Sequence, residues 1–311
     1  MADVVITEFM EKGVAAELTA DYDAFWDTEL WNKRDELLAR VKNARAIVVR
    51  NATQVDAELI AAATNLEIVA RMGVGLDNID LETCKARGIE VCPSIGANAA
   101  SVAEYVVATA MILLRGQAYY STAKVAGGEW DRQSLAGGVE LGNLKMGIIG
   151  FGSIGQVTAG KAKAMGMQIL AYDAVIPESA SVWNGVTRSS LDDLVAQCDV
   201  ISLHCPLLPE TRGLIGSSQI ARMKQGAILI NSARGGIVDE TACANALKSG
   251  HLGGAALDTL ETEPITAQTG ALFKDIPNLI LTPHIAGVTK NSNRRIAEVA
   301  ASNVRRVLGP A

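Results

Sequence analysis

Nine short apolar runs, rich in β-branched residues and separated by alanine-rich stretches, set the strongest limit on what this chain can fold into. They are "DVVITE" (3–8), "AIVVR" (46–50), "EIVARM" (67–72), "MGIIGF" (146–151), "QILAYD" (168–173), "DVISLH" (199–204), "AILINS" (227–232), "LGGAALD" (252–258) and "LILTPH" (279–284). A strand with one wet face alternates apolar and polar residues. Near-continuous apolar runs need cover on both faces, which helices above and below a parallel sheet supply. The predicted class is α/β, with doubly wound parallel sheets.

At roughly 100 to 200 residues per domain, 311 residues imply two domains. The longest helical stretch, "ASVAEYVVATAMILLR" (100–115), has Ser101 as its candidate cap, with Glu104 three residues on. A glycine-rich loop (126–143) follows and leads into the fourth run. The expected division is residues 1–97 plus 288–311 against 98–287, with the last helix (291–309) returning to the first domain.

With 49% apolar residues, 20% charged residues and a net charge of -6, the chain is globular and lacks an overall basic field for nucleic acid or an anionic membrane. No run approaches the ~18 apolar residues of a membrane span. The start, "MADVVITEFMEKG", has no basic signal-peptide region, so a cytoplasmic location is expected. Cys84, Cys92, Cys198, Cys205 and Cys243 form an odd set with no C-x-x-C pair, which predicts reduced thiols and no metal site.

In "GIIGFGSIG", Gly150, Gly152 and Gly155 spell G-x-G-x-x-G directly after an apolar run. Such glycines allow a tight turn and close approach to a pyrophosphate at a helix N-terminus. Asp173 ends the next run, 18 residues after Gly155, where an acid can accept hydrogen bonds from the adenosine ribose. The acid would repel a 2'-phosphate, and "AVIP" after it offers no arginine, so NAD is favoured over NADP. A ligand-free glycine turn, or a sheet binding another adenine cofactor, shares the motif.

Histidine is the usual proton handler near neutral pH, and the chain has three: His204, His251 and His284. His251 lies among turn residues and reads as a solvated or capping group. His204 and His284 end apolar runs, as does Arg234 in "ILINSARGG", and the carboxyl ends of such strands are where ligands gather. "ALDTLETEP" adds Asp258, Glu261 and Glu263 at the same kind of position. Any one of these acids alone reads as a solvated loop charge, but four consecutive strand ends carry such groups.

Together, "RMGVGLDNID", "GANAASVAEYVVA", "MGIIGFGSIG", "LHCPLLPETRGLI", "INSARGGIVDE", "ALDTLETEP" and "LTPHIAG" resemble the D-isomer-specific 2-hydroxyacid dehydrogenases, most nearly the phosphoglycerate dehydrogenase branch in a short form without a C-terminal regulatory domain. The resemblance spans residues 71–287. It implies a homodimer of two Rossmann-like domains, held in part by the helical segment near residue 105, with the active site in the cleft between them. It also implies NAD as cofactor and a small 2-keto or 2-hydroxy acid as substrate.

Carried over by motif, the catalytic set is Arg234, Glu263 and His284. The cofactor set is Gly150, Gly152, Ser153, Ile154, Gly155, Asp173, His204, Cys205, Pro206, Thr211, Ser232, Ala233 and Asp258, joined by Arg234 and His284. On this reading His204 is a wall of the NAD site, and Asp258 lies near the nicotinamide carboxamide. The substrate set adds the turn Arg71, Met72, Gly73, Val74 and Gly75, a carboxylate nest of backbone N–H groups, and Arg50. Arg50 and Arg71 either meet a second anion, such as phosphate or sulfonate, or serve as structural ion-pair partners. The acid at Glu263 makes formate, used by relatives with an amide there, a poorer substrate. The alternative is an NADH-sensing scaffold of the same fold, resembling the corepressors, which would bind NADH and turn over no keto acid.

Overall fold

The computed structural model describes residues 2–310. The chain divides into a first unit, Met1–Asn98 with Val288–Ala311, and a second, Ala99–Gly287.

In the first unit, β1 (Val4–Ile6), β2 (Ala24–Trp26), β3 (Ala46–Val49), β4 (Ile68–Arg71) and β5 (Glu90–Pro93) form one parallel sheet in the order β2-β1-β3-β4-β5. Neighbouring side chains go to opposite faces, and both faces are covered. Val4, Ile6, Val48 and Ala70 pack with the helices Lys12–Asp21 and Lys290–Leu308. Val5, Ile47, Val49 and Val69 pack with Leu37, Leu59 and Ile60. Each fully buried valine or isoleucine contributes about 1.5 to 3 kcal/mol, which explains the lack of polar alternation in these runs.

The second unit holds β6 (Lys145–Ile149), β7 (Gln168–Tyr172), β8 (Thr187–Arg188), β9 (Val200–Leu203), β10 (Ala227–Asn231), β11 (Leu252–Leu257) and β12 (Leu279–Leu281). The order is β12-β11-β10-β9-β6-β7-β8, all parallel. The strand order reverses at β6, which lies between β7 and β9, and an open sheet of this type takes its ligand at such a point. Val102, Val106, Ala110 and Leu113 of the helix Ala99–Leu114 cover one face, over Met146, Ile148, Ile228 and Ile230.

All nine runs are strands. The three strands that the runs omit, β2, β5 and β8, are all sheet edges. An edge strand is short and less enclosed, so it needs no continuous apolar run. The cap expected at Ser101 is corrected: the helix starts at Ala99, so Ser101 lies inside its first turn and is buried. Cys84, Cys92, Cys198 and Cys243 are buried free thiols, and Cys205 is half-buried. Among the described residues, no helix is long and apolar enough to cross a membrane.

Candidate active site

In the second unit, the arginine at the end of β10 is set by a turn that the strand itself builds. Asn231, 1% exposed, accepts from the Ala233 N–H through its side-chain oxygen (3.1 Å) and donates from Nδ2 to the Arg234 carbonyl (2.8 Å). Arg234 Nη1 donates to the Ala233 carbonyl at 2.7 Å. Gly235 must lack a side chain, since a Cβ there would stand 1.9 Å from the Leu260 carbonyl oxygen. The turns after β10 and β11 are therefore in backbone contact.

The β11 turn carries Glu263. Its Oε1 accepts from the Leu260 N–H (2.9 Å), and its Oε2 lies 2.9 Å from His284 Nδ1. Partial burial disfavours the charged carboxylate. The His284 hydrogen bond, the Leu260 N–H and the nearby charges of His284 and Arg234 outweigh it and hold the pKa below the usual range. An ionised carboxylate only accepts, so Nδ1 carries the proton and Nε2 is left to exchange one with a ligand.

His284 itself has φ 57°, a left-handed conformation that costs a non-glycine residue about 1 to 3 kcal/mol unless its surroundings dictate it. Asp258, 1% exposed, supplies those surroundings. Its Oδ1 accepts from the Ile285 N–H (2.8 Å) and Thr282 Oγ1 (2.6 Å), its Oδ2 from the Ala286 N–H (2.8 Å), and its carbonyl from the His284 N–H (2.8 Å). Asp258, expected to face the nicotinamide, is thus chiefly a backbone clamp on the histidine turn, with one lone pair left on Oδ2.

The glycine motif opens the helix Ser153–Ala164, whose N-terminus at Gly152 has no side-chain cap. Gly150 has φ 90°, and a Cβ on it would meet the Cys205 nitrogen at 2.6 Å, which places "HCP" directly against the loop. A Cβ at Gly152 would meet nothing within 4 Å, so the space before the helix is open. The Ser232 hydroxyl is buried and meets no protein partner among the described residues. An open cradle at an uncapped helix N-terminus and an orphaned buried hydroxyl both fit a dinucleotide.

Asp173 is more committed than the sequence implies. Its Oδ2 accepts from the Phe151 N–H (2.8 Å), and its Oδ1 from the N–H groups of Val175 (2.9 Å) and Ile176 (3.0 Å), leaving one lone pair, on Oδ2, for a ribose hydroxyl. Phe151 stacks on Trp183 with centroids 5.1 Å apart, which pins the same loop. A hollow of about 560 Å³ next to Asp173 is lined by Tyr172, Glu178, Arg188, Ser189 and Ser190. An arginine is therefore present where "AVIP" offers none, but Arg188 is ion-paired with Glu178.

Burial pushes the His204 imidazole down to about 4, so it is neutral at pH 7, and its Nε2 lies 2.9 Å from Ser202 Oγ. Thr211 is loop-structural: Oγ1 donates to the Pro206 carbonyl (2.6 Å) and accepts from the Leu208 N–H (2.7 Å). His251 is a tie as well, with Nε2 2.8 Å from the Ile220 carbonyl.

In the first unit, the expected nest is smaller than the motif implies. The Met72 N–H already donates to Val49 O (2.8 Å) and that of Gly73 to Arg71 O (2.9 Å), so Val74 and Gly75 carry the N–H groups left for an anion. The Met72 side chain is core. Val49 is the register partner of Arg71, so Arg50 and Arg71 lie at the ends of adjacent strands. Arg71 Nη1 donates to the Met72 carbonyl (2.7 Å), and Arg50 Nη2 donates to Asn293 Oδ1 (3.3 Å). Burial pushes the Arg50 pKa down against the opposing charge of Glu8.

Glu8 was not visible as a functional residue in the sequence. It is 6% exposed and accepts from the N–H groups of Arg50 (2.8 Å), Ala52 (3.2 Å) and Thr53 (3.0 Å) and from Thr53 Oγ1 (2.7 Å), fixing the arginine loop. Asn231 and Thr282 were missed too. The available signal was the same for Glu8 and Asn231: a pair of polar residues, Thr7–Glu8 or Asn231–Ser232, closing an apolar run.

A family model for the NAD-binding domain of D-isomer specific 2-hydroxyacid dehydrogenases matches residues 107–286. The (S)-sulfolactate dehydrogenase of Chromohalobacter salexigens is 46% identical over 310 residues, 99% of both chains. A D-3-phosphoglycerate dehydrogenase of Mycobacterium leprae is 41% identical over 275 residues, which is 88% of this chain and 51% of that one. Among solved structures, D-lactate dehydrogenase from Aquifex aeolicus, complexed with NAD and lactic acid, has a TM-score of 0.84 at 30% identity, covering 98% of this chain and 95% of that chain. The glycine loop, the Arg-Glu-His set and these likenesses agree: the chain belongs to the D-isomer specific 2-hydroxyacid dehydrogenases, as an NAD-dependent oxidoreductase acting on the CH–OH group of 2-hydroxy acids.

Proposed function

We propose that the substrate is a 2-hydroxy acid bearing a second strong anion, of the sulfolactate and sulfopyruvate type. The observation that carries this reading is the pair Arg50 and Arg71 at adjacent strand ends. The 46% identity to a sulfolactate dehydrogenase supports it. Stereochemistry agrees, because the D arrangement takes the label (S) in sulfolactate, where the sulfonate-bearing carbon outranks the carboxylate.

When bound, NAD accepts or supplies the hydride. The protein's own residues do the rest. Arg234 offers its planar fork to the substrate carboxylate and carbonyl oxygen. His284 Nε2 gives a proton to that oxygen in reduction and takes it back in oxidation. Glu263, bonded to Nδ1, orients the ring. Arg50 and Arg71 hold the second anion, and the Val74 and Gly75 amides assist with the carboxylate.

Gly150, Gly152, Ser153, Ile154 and Gly155 form the pyrophosphate cradle, and Asp173 takes one ribose hydroxyl. His204, Cys205, Pro206 and Thr211 wall the adenosine side, with Ser232, Ala233 and Asp258 toward the nicotinamide. The protein acts as a cytoplasmic homodimer. The exposed Tyr119, Tyr120 and Trp130, which follow the helix Ala99–Leu114, support self-association, and sedimentation as a single 32.7 kDa species would count against it.

A 2-keto acid panel with NADH tests the substrate. Sulfopyruvate is expected to exceed pyruvate and glyoxylate in kcat/KM. Arg50→Ala should lower the sulfopyruvate value by about 10- to 100-fold, the worth of a hydrogen bond to a charged group, with a smaller effect on pyruvate. Equal activity on all acids, or equal penalties, would remove the second-anion role.

A further inference from the structure

The histidine turn has a second layer of support, from the long helix Ala99–Leu114. Tyr105 on that helix places its hydroxyl 2.7 Å from Thr282 Oγ1, and Thr282 Oγ1 in turn lies 2.6 Å from Asp258 Oδ1. The proton order along this chain is fixed by inventory. Thr282 has one hydroxyl proton, and the carboxylate can only accept, so that proton goes to Asp258 and the Tyr105 O–H must donate to Thr282. Burial pushes the Tyr105 phenol up to about 12, which keeps it a donor across the working pH range.

The far end of the chain is the catalytic turn. Asp258 receives the Ile285 and Ala286 N–H groups and fixes the left-handed backbone of His284. The imidazole ring is half-exposed, with a side-chain accessibility of 48%, and Glu263 holds only one ring nitrogen. Its reach is therefore set by its backbone more than by walls around the ring.

We propose that Tyr105 is a positioning residue for proton transfer: through Thr282 and Asp258, its hydroxyl sets the backbone that aims His284. The proposal rests on His284 being the acid/base. A purely structural Tyr105 would tie the helix to the sheet and leave turnover alone.

Steady-state reduction of a 2-keto acid by NADH separates the two. Tyr105→Phe is expected to lower kcat about tenfold, since small misplacements remote from the chemistry are costly, with KM for NADH changed less than twofold. Thr282→Val should lose at least as much, and Thr282→Ser should restore most of it. Because Tyr105 acts only through Thr282 and His284, Tyr105→Phe should add nothing to Thr282→Val or to His284→Ala.

Wild-type kcat in Tyr105→Phe beside a collapsed His284→Ala would overturn the positioning role alone. A full, independent Tyr105→Phe effect on top of Thr282→Val would overturn it as well. Normal turnover in His284→Ala would instead remove the acid/base reading. Should Tyr105→Phe fail to fold, the comparison of Thr282→Val with Thr282→Ser decides, and equal activities in that pair would overturn the proposal.

Discussion

His284→Ala should lower kcat by about 100-fold or more at neutral pH, the usual loss when a positioned acid/base is removed, with little change in KM for NADH. The turn should survive the substitution. The Asp258 bonds go to the backbone N–H groups of Ile285 and Ala286 and to the Thr282 hydroxyl, and the His284 N–H still reaches the Asp258 carbonyl. No other imidazole can take over. His204 is held neutral by burial, and His251 is engaged with the Ile220 carbonyl. Steady-state kinetics with a thermal melt as a folding control provide the check, and near-normal turnover would take His284 out of the mechanism.

Arg234→Lys carries the second large effect. A loss of about 10²- to 10³-fold in kcat/KM is expected, comparable to removing one donor from a developing oxyanion. Both kcat and KM should worsen, because an ammonium keeps the charge but not the fork that spans carboxylate and carbonyl. The shape of the turn should persist, since Asn231 makes it through backbone atoms of residues 233 and 234. Unchanged kinetics would remove the bidentate role, and a selective rise in KM would confine Arg234 to ground-state binding.

The central strands and the placement of Arg234, Glu263 and His284 after strand ends were legible because burial on two faces and polar groups at strand ends both leave marks along the chain. Edge strands such as β8, two residues long, leave no such mark. What the sequence concealed is how far its polar groups are already committed. Asp173, Asp258, Met72 and Gly73 match their motifs, yet most of their hydrogen-bonding capacity is used within the protein. Many of these commitments are to residues 20 or more positions away: Asp173 with Phe151, Asp258 with Ile285 and Ala286, and Met72 with Val49. The same holds for Glu8, whose carboxylate fills a loop 42 to 45 residues away. Spacing along a chain records which groups reach a strand end, but not how many lone pairs they bring free.

The absence of a side chain at Gly235 has a mechanical consequence. With the Leu260 carbonyl filling the place of its Cβ, the loop bearing Arg234 and the loop bearing Glu263 have no clearance between them at that point. Neither can be lengthened, tilted or reshaped alone without displacing the other. A change of shape in either loop is thereby tied to a matching change in the other, so the two are expected to vary together.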